Sequence, residues 1–309
     1  TSDVFIQNFR PGVADRIGIG EADIRAVRED IIYVSICGFG ESGPYAANPV
    51  YDPLIQALSG LATVQAGSDT ERPRLVRTIL PDKLTGTVAA QAITAALLAR
   101  TRTGEGQHIR VSMLDTIVAF LWGSDMGSQT FIDTPFPQQN AASFIDLIYE
   151  TADGHISVAV QSDREWQALT RAFDTPEWLD DPRFKTPALR QENIDDRLDL
   201  TQEKLRTDTS AHWLERLEAE DVPCAPVLTR GEAIGHPQVA ANTIVIETEH
   251  HLAGGVRQAR PAAQFSSTPV EIRRGGPALG EHTGEVLAEA GYSAQEIASL
   301  TGATKDAAE

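Results

Sequence analysis

Leu80-Pro-Asp-Lys-Leu-Thr-Gly86, running into Thr87-Val-Ala-Ala-Gln-Ala-Ile-Thr-Ala-Ala-Leu-Leu-Ala-Arg100, decides how this chain reads. Its Ala-rich body is a strong helix former. Leu84, Val88, Ala92 and Ala95 recur at helical spacing and mark one face. The preceding Arg77-Thr-Ile-Leu80 has the short apolar look of a strand end, so the helix is expected to begin near Lys83 or Leu84. Asp82 then stands at a strand-to-helix junction, where the helix dipole and unpaired N–H groups favour a negative charge. Asp is also a favoured N-cap, and capping alone would explain one here. A cap needs no special neighbours, however. This one follows a Pro and precedes a small, Gly-containing turn, which leaves room for a reactant to approach the carboxylate.

On the N-terminal side, Val4–Ile6 reads as a strand, Asn8-Phe-Arg-Pro-Gly12 as a turn, and Val13–Ile19 and Glu21–Arg28 as helices. Ile31-Ile-Tyr-Val-Ser-Ile36 is a continuous β-branched run, as in a parallel strand covered on both faces. Gly38-Phe-Gly-Glu-Ser-Gly-Pro44 is a loop, and Asp52–Leu61 a helix. On the C-terminal side, Gly104-Glu-Gly-Gln107 turns the chain into a strand, His108–Met113, and a helix from Leu114 to about Gly127. Strands alternating with helices give an α/β fold with an open, mostly parallel sheet. Ligands of such sheets bind beyond the carboxyl ends of the strands. Asp82 and the turn at residues 8–12 both fall at such ends. Arg10 and Arg16 beside that turn suit a phosphate, although a solvated Arg is the commoner state.

The second half differs in composition. Asp133-Thr-Pro-Phe-Pro-Gln-Gln-Asn140 reads as a linker. Strands follow at Ile145–Glu150 and His155–Val160, then helices at Arg164–Phe173, Ile194–Arg206 and Ala211–Glu220. This is the pattern of a small α+β domain. Pro223–Leu228 is extended, residues 231–276 hold several short strands, and Ala278–Gly291 is a helix closed by Gly291, with a frayed tail from Lys305.

A chain of 309 residues is longer than one core usually holds, so two domains are the default. With 41% apolar and 23% charged residues the composition is that of an ordinary globular protein, and no apolar run reaches bilayer length. The net charge of −18 argues against nucleic acid as a partner. Cys37 and Cys224 fit no metal or redox spacing and read as buried free thiols of a cytoplasmic protein. The seven His are scattered, so no metal is expected. Gly38-Phe-Gly40 lacks the third glycine and acidic partner of a dinucleotide site, and there is no P-loop or Gly-x-Ser-x-Gly elbow. Thr1 is followed almost at once by a strand, with no initiator Met and no signal pattern. The expectation is a downstream part of a longer protein.

Six motifs in order carry a family resemblance: Val4-Phe-Ile-Gln-Asn-Phe-Arg-Pro-Gly12, Tyr33-Val-Ser-Ile-Cys-Gly-Phe-Gly-Glu-Ser-Gly-Pro-Tyr45, Tyr51-Asp-Pro-Leu-Ile-Gln-Ala-Leu-Ser-Gly60, Asp82-Lys-Leu-Thr-Gly86, Gly104-Glu-Gly-Gln107 and Leu279-Gly-Glu-His-Thr283. Together they resemble the class III CoA-transferases, the CaiB/BaiF family, without that family's N-terminal segment. The resemblance implies a Rossmann-like parallel-sheet large domain (residues 1–140, incomplete), a small α+β domain (141–230) and a C-terminal segment (231–309) that returns to the large one. It implies an interlocked homodimer acting on acyl-CoA and a small carboxylic acid, with coenzyme A and no metal. It makes Asp82 the nucleophile that carries an aspartyl-CoA thioester, and places Asn8, Phe9, Arg10, Arg16, Tyr51 and Asp52 against CoA. Arg16 would pair with a nucleotide phosphate and Phe9 lie near the adenine. A carboxylate is a weak nucleophile, so placement matters most; near-attack positioning is worth ~7–11 kcal/mol.

Racemases of the family carry His where this chain has Tyr51. A phenol ionises near pH ~10 and exchanges protons poorly at neutrality, which favours transfer over racemisation. No run of glycines lies between Gln129 and Ile145, where formyl-CoA transferase has its active-site loop, and this argues against oxalate or formate as the acid. Succinate and a larger acid both stay open. Two other readings remain: an acyl-CoA racemase, and a non-catalytic CoA-binding partner.

Overall fold

Ile32-Tyr-Val-Ser-Ile-Cys37 is the middle strand of a parallel sheet, as its β-branched run implies. The computed structural model describes residues 2–133, 145–272 and 274–302. The chain divides into two compact units between Leu147 and Ile148.

In the first unit the order is β1 (Val4–Gln7), α1 (Val13–Arg16), α2 (Glu21–Val27), β2 (Ile32–Cys37), α3 (Asp52–Leu58), α4 (Leu61–Val64), α5 (Leu80–Thr103), β3 (His108–Ser112) and α6 (Met113–Trp122). The three strands lie in the order β1-β2-β3, all parallel, with Gln7 opposite Ser35 and Ser35 opposite Arg110. Alternation sends Ile32, Val34 and Ile36 to one face, where Ile93, Ala96 and Leu97 of α5 cover them. Tyr33 and Ser35 face the other way.

The run of α5 is fixed at its far end. Arg100 pairs with Asp3 and donates to the Asp30 carbonyl, both just ahead of the amino ends of β1 and β2. The helix therefore runs antiparallel to the strands. Asp82 stands eighteen residues earlier on this 24-residue helix, about 27 Å along its axis. The strands span only about 13–20 Å. Asp82 thus projects past the carboxyl edge of the sheet.

Two expectations about this stretch need correction. Residues 77–80 form no strand; α5 already begins at Leu80, with Ile79 as N-cap, so Asp82 lies inside the first turn rather than ahead of it. Pro81 explains the early start, because a first-turn proline has φ preset and lacks an N–H that would be unpaired there anyway. The buried positions are Pro81, Thr85, Ala89 and Ala96; Leu84, Val88 and Ala92 are half-buried at their margin and Ala95 is exposed. The helix serves two cores in succession. Leu80 and Leu84 pack on Ile55, Leu61, Ile117 and Leu121, and the lower half packs on the sheet, so no single stripe describes it. The expected helix Asp52–Leu61 is broken at Gly60, whose φ of 88° suits glycine, and resumes as α4.

The second unit holds β4 (Ile148–Glu150), β5 (His155–Val158), α7 (Asp163–Phe173), α8 (Pro187–Glu192), α9 (Ile194–Leu205), α10 (Ser210–Ala219), β6 (Cys224–Pro226), α11 (Arg230–Gly235), α12 (Pro237–Ala241), β7 (Val245–His250), β8 (Gly254–Ala259), α13 (Thr283–Glu289) and α14 (Ala294–Thr301). Strands β4-β5-β6 form an antiparallel sheet and β7-β8 a hairpin. Trp166, Phe173, Trp178, Phe184 and Trp213 make an aromatic core with ring separations of 5.2–5.9 Å. Gly291 follows α13 in the left-handed conformation, as its closing role requires. The linker expected at 133–140, the glycine-poor stretch before Ile145 and the tail from Lys305 lie wholly or largely outside the described residues. No described helix is long and apolar enough to cross a membrane.

Candidate active site

The first turn of α5 is held by a buried polar network from α3. Gln56 is 1% exposed and Asp52 5%. The Gln56 amide nitrogen donates to Asp52 Oδ1 at 2.6 Å, and its oxygen accepts from the Val76 N–H at 2.9 Å. Asp52 Oδ2 in turn accepts the Asp82 N–H at 3.3 Å. One glutamine thus ties the segment before α5 to α3, and one aspartate caps α5 from a different helix. Sequence reading missed Gln56. Its signal is a polar residue four positions after Asp52, inside an otherwise apolar helix, where i,i+4 side chains meet.

The Asp82 side chain is exposed and makes no hydrogen bond or ion pair among the described residues. A capping carboxylate would be bonded to the free N–H groups of its turn. Here those groups are already used: Leu80 N–H donates to the Thr78 carbonyl, Pro81 has none, Asp82 N–H goes to Asp52, and Lys83 N–H to the Ile79 carbonyl. The expectation that unpaired N–H groups at the helix start favour the Asp82 charge is therefore corrected. Partial burial and the nearby Asp52 carboxylate push the Asp82 carboxyl above the ordinary range. A more basic carboxylate is a better nucleophile. Lys83 Nζ bonds Thr78 Oγ1 at 2.9 Å.

The second cluster follows β1. Gly12, at φ 77°, turns the chain into α1. Gln7 Oε1 accepts the Phe9 N–H at 2.9 Å and fixes the start of the turn. Asn8, Phe9, Arg10 and Arg16 are all exposed, and neither arginine has an ion-pair partner among the described residues. In a chain of net charge −18, two arginines without ion-pair partners among the described residues, one on the turn and one at the end of α1, are a local basic feature. Tyr51, 79% exposed, is the N-cap residue of α3.

The structure therefore brings Asp52 and Asp82 together at the meeting of α3 and α5, with Tyr51 next to Asp52 in the chain. Asn8, Phe9, Arg10 and Arg16 form a separate group beyond β1; no described hydrogen bond or ion pair joins the two groups. Asp52, expected at CoA, has both carboxylate oxygens occupied within the protein. Beside the Gly38–Pro44 loop lies a largely apolar cavity of about 800 Å³ walled by Phe39, Tyr45, Leu58, Leu114 and Trp122; Asp82 lies outside it. Among the described residues no group of three His, Cys, Asp or Glu is placed to hold a metal. Burial pushes the Cys37 and Cys224 thiols up.

The parallel α/β sheet has an unengaged aspartate past its carboxyl edge and, separately, a basic turn after β1. Residues 1–283 match the model of CoA-transferase family III, and the chain belongs to that family. It is 30% identical over 293 residues to the Homo sapiens succinyl-CoA:glutarate CoA-transferase, covering 93% of this chain but 66% of that protein, slightly under two thirds of its length. It is 33% identical over 288 residues to the acetyl-CoA:oxalate CoA-transferase of Acetobacter aceti, covering 91% of this chain and 72% of that one. Among solved structures it resembles Rv3272 of Mycobacterium tuberculosis, with a TM-score of 0.78 and 26% identity over 91% of this chain and 76% of the other. A CaiB/BaiF family protein from Brucella suis matches with a TM-score of 0.77 and 28% identity, over 93% and 75%.

Proposed function

We propose that the protein moves CoA from an acyl-CoA donor to a carboxylic acid, with Asp82 as the covalent carrier. The observation that carries this is the free Asp82 carboxylate, exposed in the first turn of α5 while Asp52 takes over the capping. A carboxylate oxygen of Asp82 attacks the thioester carbonyl. The C–S bond breaks and the CoA thiolate leaves, giving a mixed anhydride. The thiolate then attacks the Asp82 carbonyl and releases the donor acid, leaving an aspartyl-CoA thioester. The acceptor carboxylate attacks that thioester, and the returning thiolate attacks the acceptor's acyl carbon and frees Asp82. No net proton is taken up, so the transfer calls for no dedicated acid or base. Tyr51, an exposed phenol next in sequence to Asp52 where the family's racemases carry an imidazole, supports transfer over racemisation. Asn8, Phe9, Arg10 and Arg16 hold CoA in this reading, with the two free guanidiniums on its phosphates. The interlocked homodimer, the return of residues 231–309 to the first unit and a cytoplasmic location belong to the same proposal.

The test is covalent trapping. With acyl-CoA and no acceptor, the wild type leaves an adduct on Asp82 that hydroxylamine converts to a hydroxamate and borohydride reduces. Asp82→Asn folds but forms no adduct and does not turn over. Full activity of Asp82→Asn would overturn the assignment. So would solvent deuterium washing into the α-carbon of an acyl-CoA with no acyl transfer, which is the racemase outcome.

A further inference from the structure

Beneath the Asn8–Arg10 turn lies a polar chain that the reaction does not use. On the sheet face opposite α5, Gln7, Ser35 and His108 come from three adjacent strands and line a cavity of about 300 Å³. Gln7 Nε2 donates to Ser35 Oγ at 3.0 Å, and Ser35 Oγ lies 2.8 Å from His108 Nε2. His108 Nδ1 lies 3.3 Å from Glu21 Oε2, with the His108 side chain only 11% exposed. Tyr33 meets the imidazole edge-on at 5.0 Å and fixes its plane.

The direction of this chain follows from its upper end. The Phe9 N–H can only donate, so it binds the Gln7 oxygen and turns the amide nitrogen toward Ser35. Ser35 accepts that bond, and in the Nδ1–H tautomer of His108 its hydroxyl donates to Nε2. The remaining imidazole proton then sits on Nδ1, facing Glu21. Gln7 and Ser35 each have one donor and one acceptor in use, while His108 Nδ1 lies near Glu21 Oε2 without a completed hydrogen bond, and the result is a single orientation of the Phe9 amide.

We propose that His108 is a positioning residue for CoA, acting through Ser35 and Gln7 on the backbone at Phe9. The role rests on the reading of that turn as the CoA site. Its effect is to hold Asn8, Phe9 and Arg10 in a binding-ready conformation, so that the ordering cost is met before the ligand arrives.

The experiment compares wild type, His108→Ala and His108→Gln by calorimetry with CoA, by steady-state kinetics, and by amide exchange at Phe9. His108→Ala is expected to weaken CoA binding and raise the KM for acyl-CoA about 3- to 10-fold, the effect of one positioned hydrogen bond. The KM for the acceptor acid should stay put, and the Phe9 amide should exchange faster. His108→Gln, which keeps an acceptor for Ser35, should recover most of the affinity, and the nitrogen shifts of His108 in the wild type should report the proton on Nδ1. Unchanged CoA affinity in His108→Ala, or an equal rise in both KM values, would overturn the positioning role alone. A wild type that does not bind CoA would overturn the functional reading, and the role with it.

Discussion

Replacing Gln56 by Leu tests the network that builds the first turn of α5. Leu nearly matches the volume, so packing among Ile55, Leu61, Ile117 and Leu121 is kept and the hydrogen bonds are what is lost. The bond to Asp52 is charge-assisted and worth about 1.5–3 kcal/mol, and the one to Val76 N–H about 0.5–1.5 kcal/mol. The contacts to the Val76 and Thr78 carbonyls, at 3.3 and 3.4 Å, add little. Leu recovers part of this through apolar burial, so the net loss should be about 1–3.5 kcal/mol. Because the chain has two compact units, the assay is urea unfolding read by hydrogen exchange of peptides from α3 and α5, which reports the first unit alone. Protection of the Val76 and Asp82 amides should fall together. Gln56→Glu would set two carboxylates about 2.6 Å apart, the present separation of Gln56 Nε2 and Asp52. The pair must keep a proton when folded, so its stability should be retained in acid and lost as pH rises. A cost for Gln56→Leu below about 1 kcal/mol, with Val76 protection unchanged, would refute the network's role.

Gly106→Ala should cost about 1–3 kcal/mol by the same measurement, since a Cβ there would stand 2.3 Å from the Ile31 carbonyl oxygen, a backbone atom that cannot step aside. Wild-type stability would contradict that packing. Asp82→Asn should be at least as stable as the wild type at neutral pH. The folded protein raises this carboxyl, so the ionised form costs stability above the folded value, and the advantage of Asn should vanish as pH falls below the unfolded range near ~4. Thermal melts across pH decide it, and a neutral-pH loss would count against the charge repulsion with Asp52. Arg16→Ala should weaken CoA binding by about 1–3 kcal/mol, the range for a charge-assisted bond, and unchanged calorimetric affinity would remove Arg16 from the site.

Most of the element order in the first unit and the parallel sheet were legible in the sequence. The reason is local: β-branched runs, helix-forming blocks and Gly/Pro turns report on neighbours a few residues away. Where the reading failed, distance along the chain was the cause. Arg77–Leu80 has the composition of a strand, but no partner strand is there to pair with it, and Pro81 starts the helix first. The apolar stripe of α5 was misplaced because the helix packs on two cores in turn, and a single period cannot encode both. Asp52 and Asp82 are thirty residues apart, Gln56 and Val76 twenty, and Ser35 and His108 seventy-three. Such bonds leave no periodic trace. Sequence alone thus singled out Asp82 as a candidate; only the tertiary structure decided that Asp52 takes the helix cap, and so leaves the Asp82 carboxylate without a hydrogen bond among the described residues.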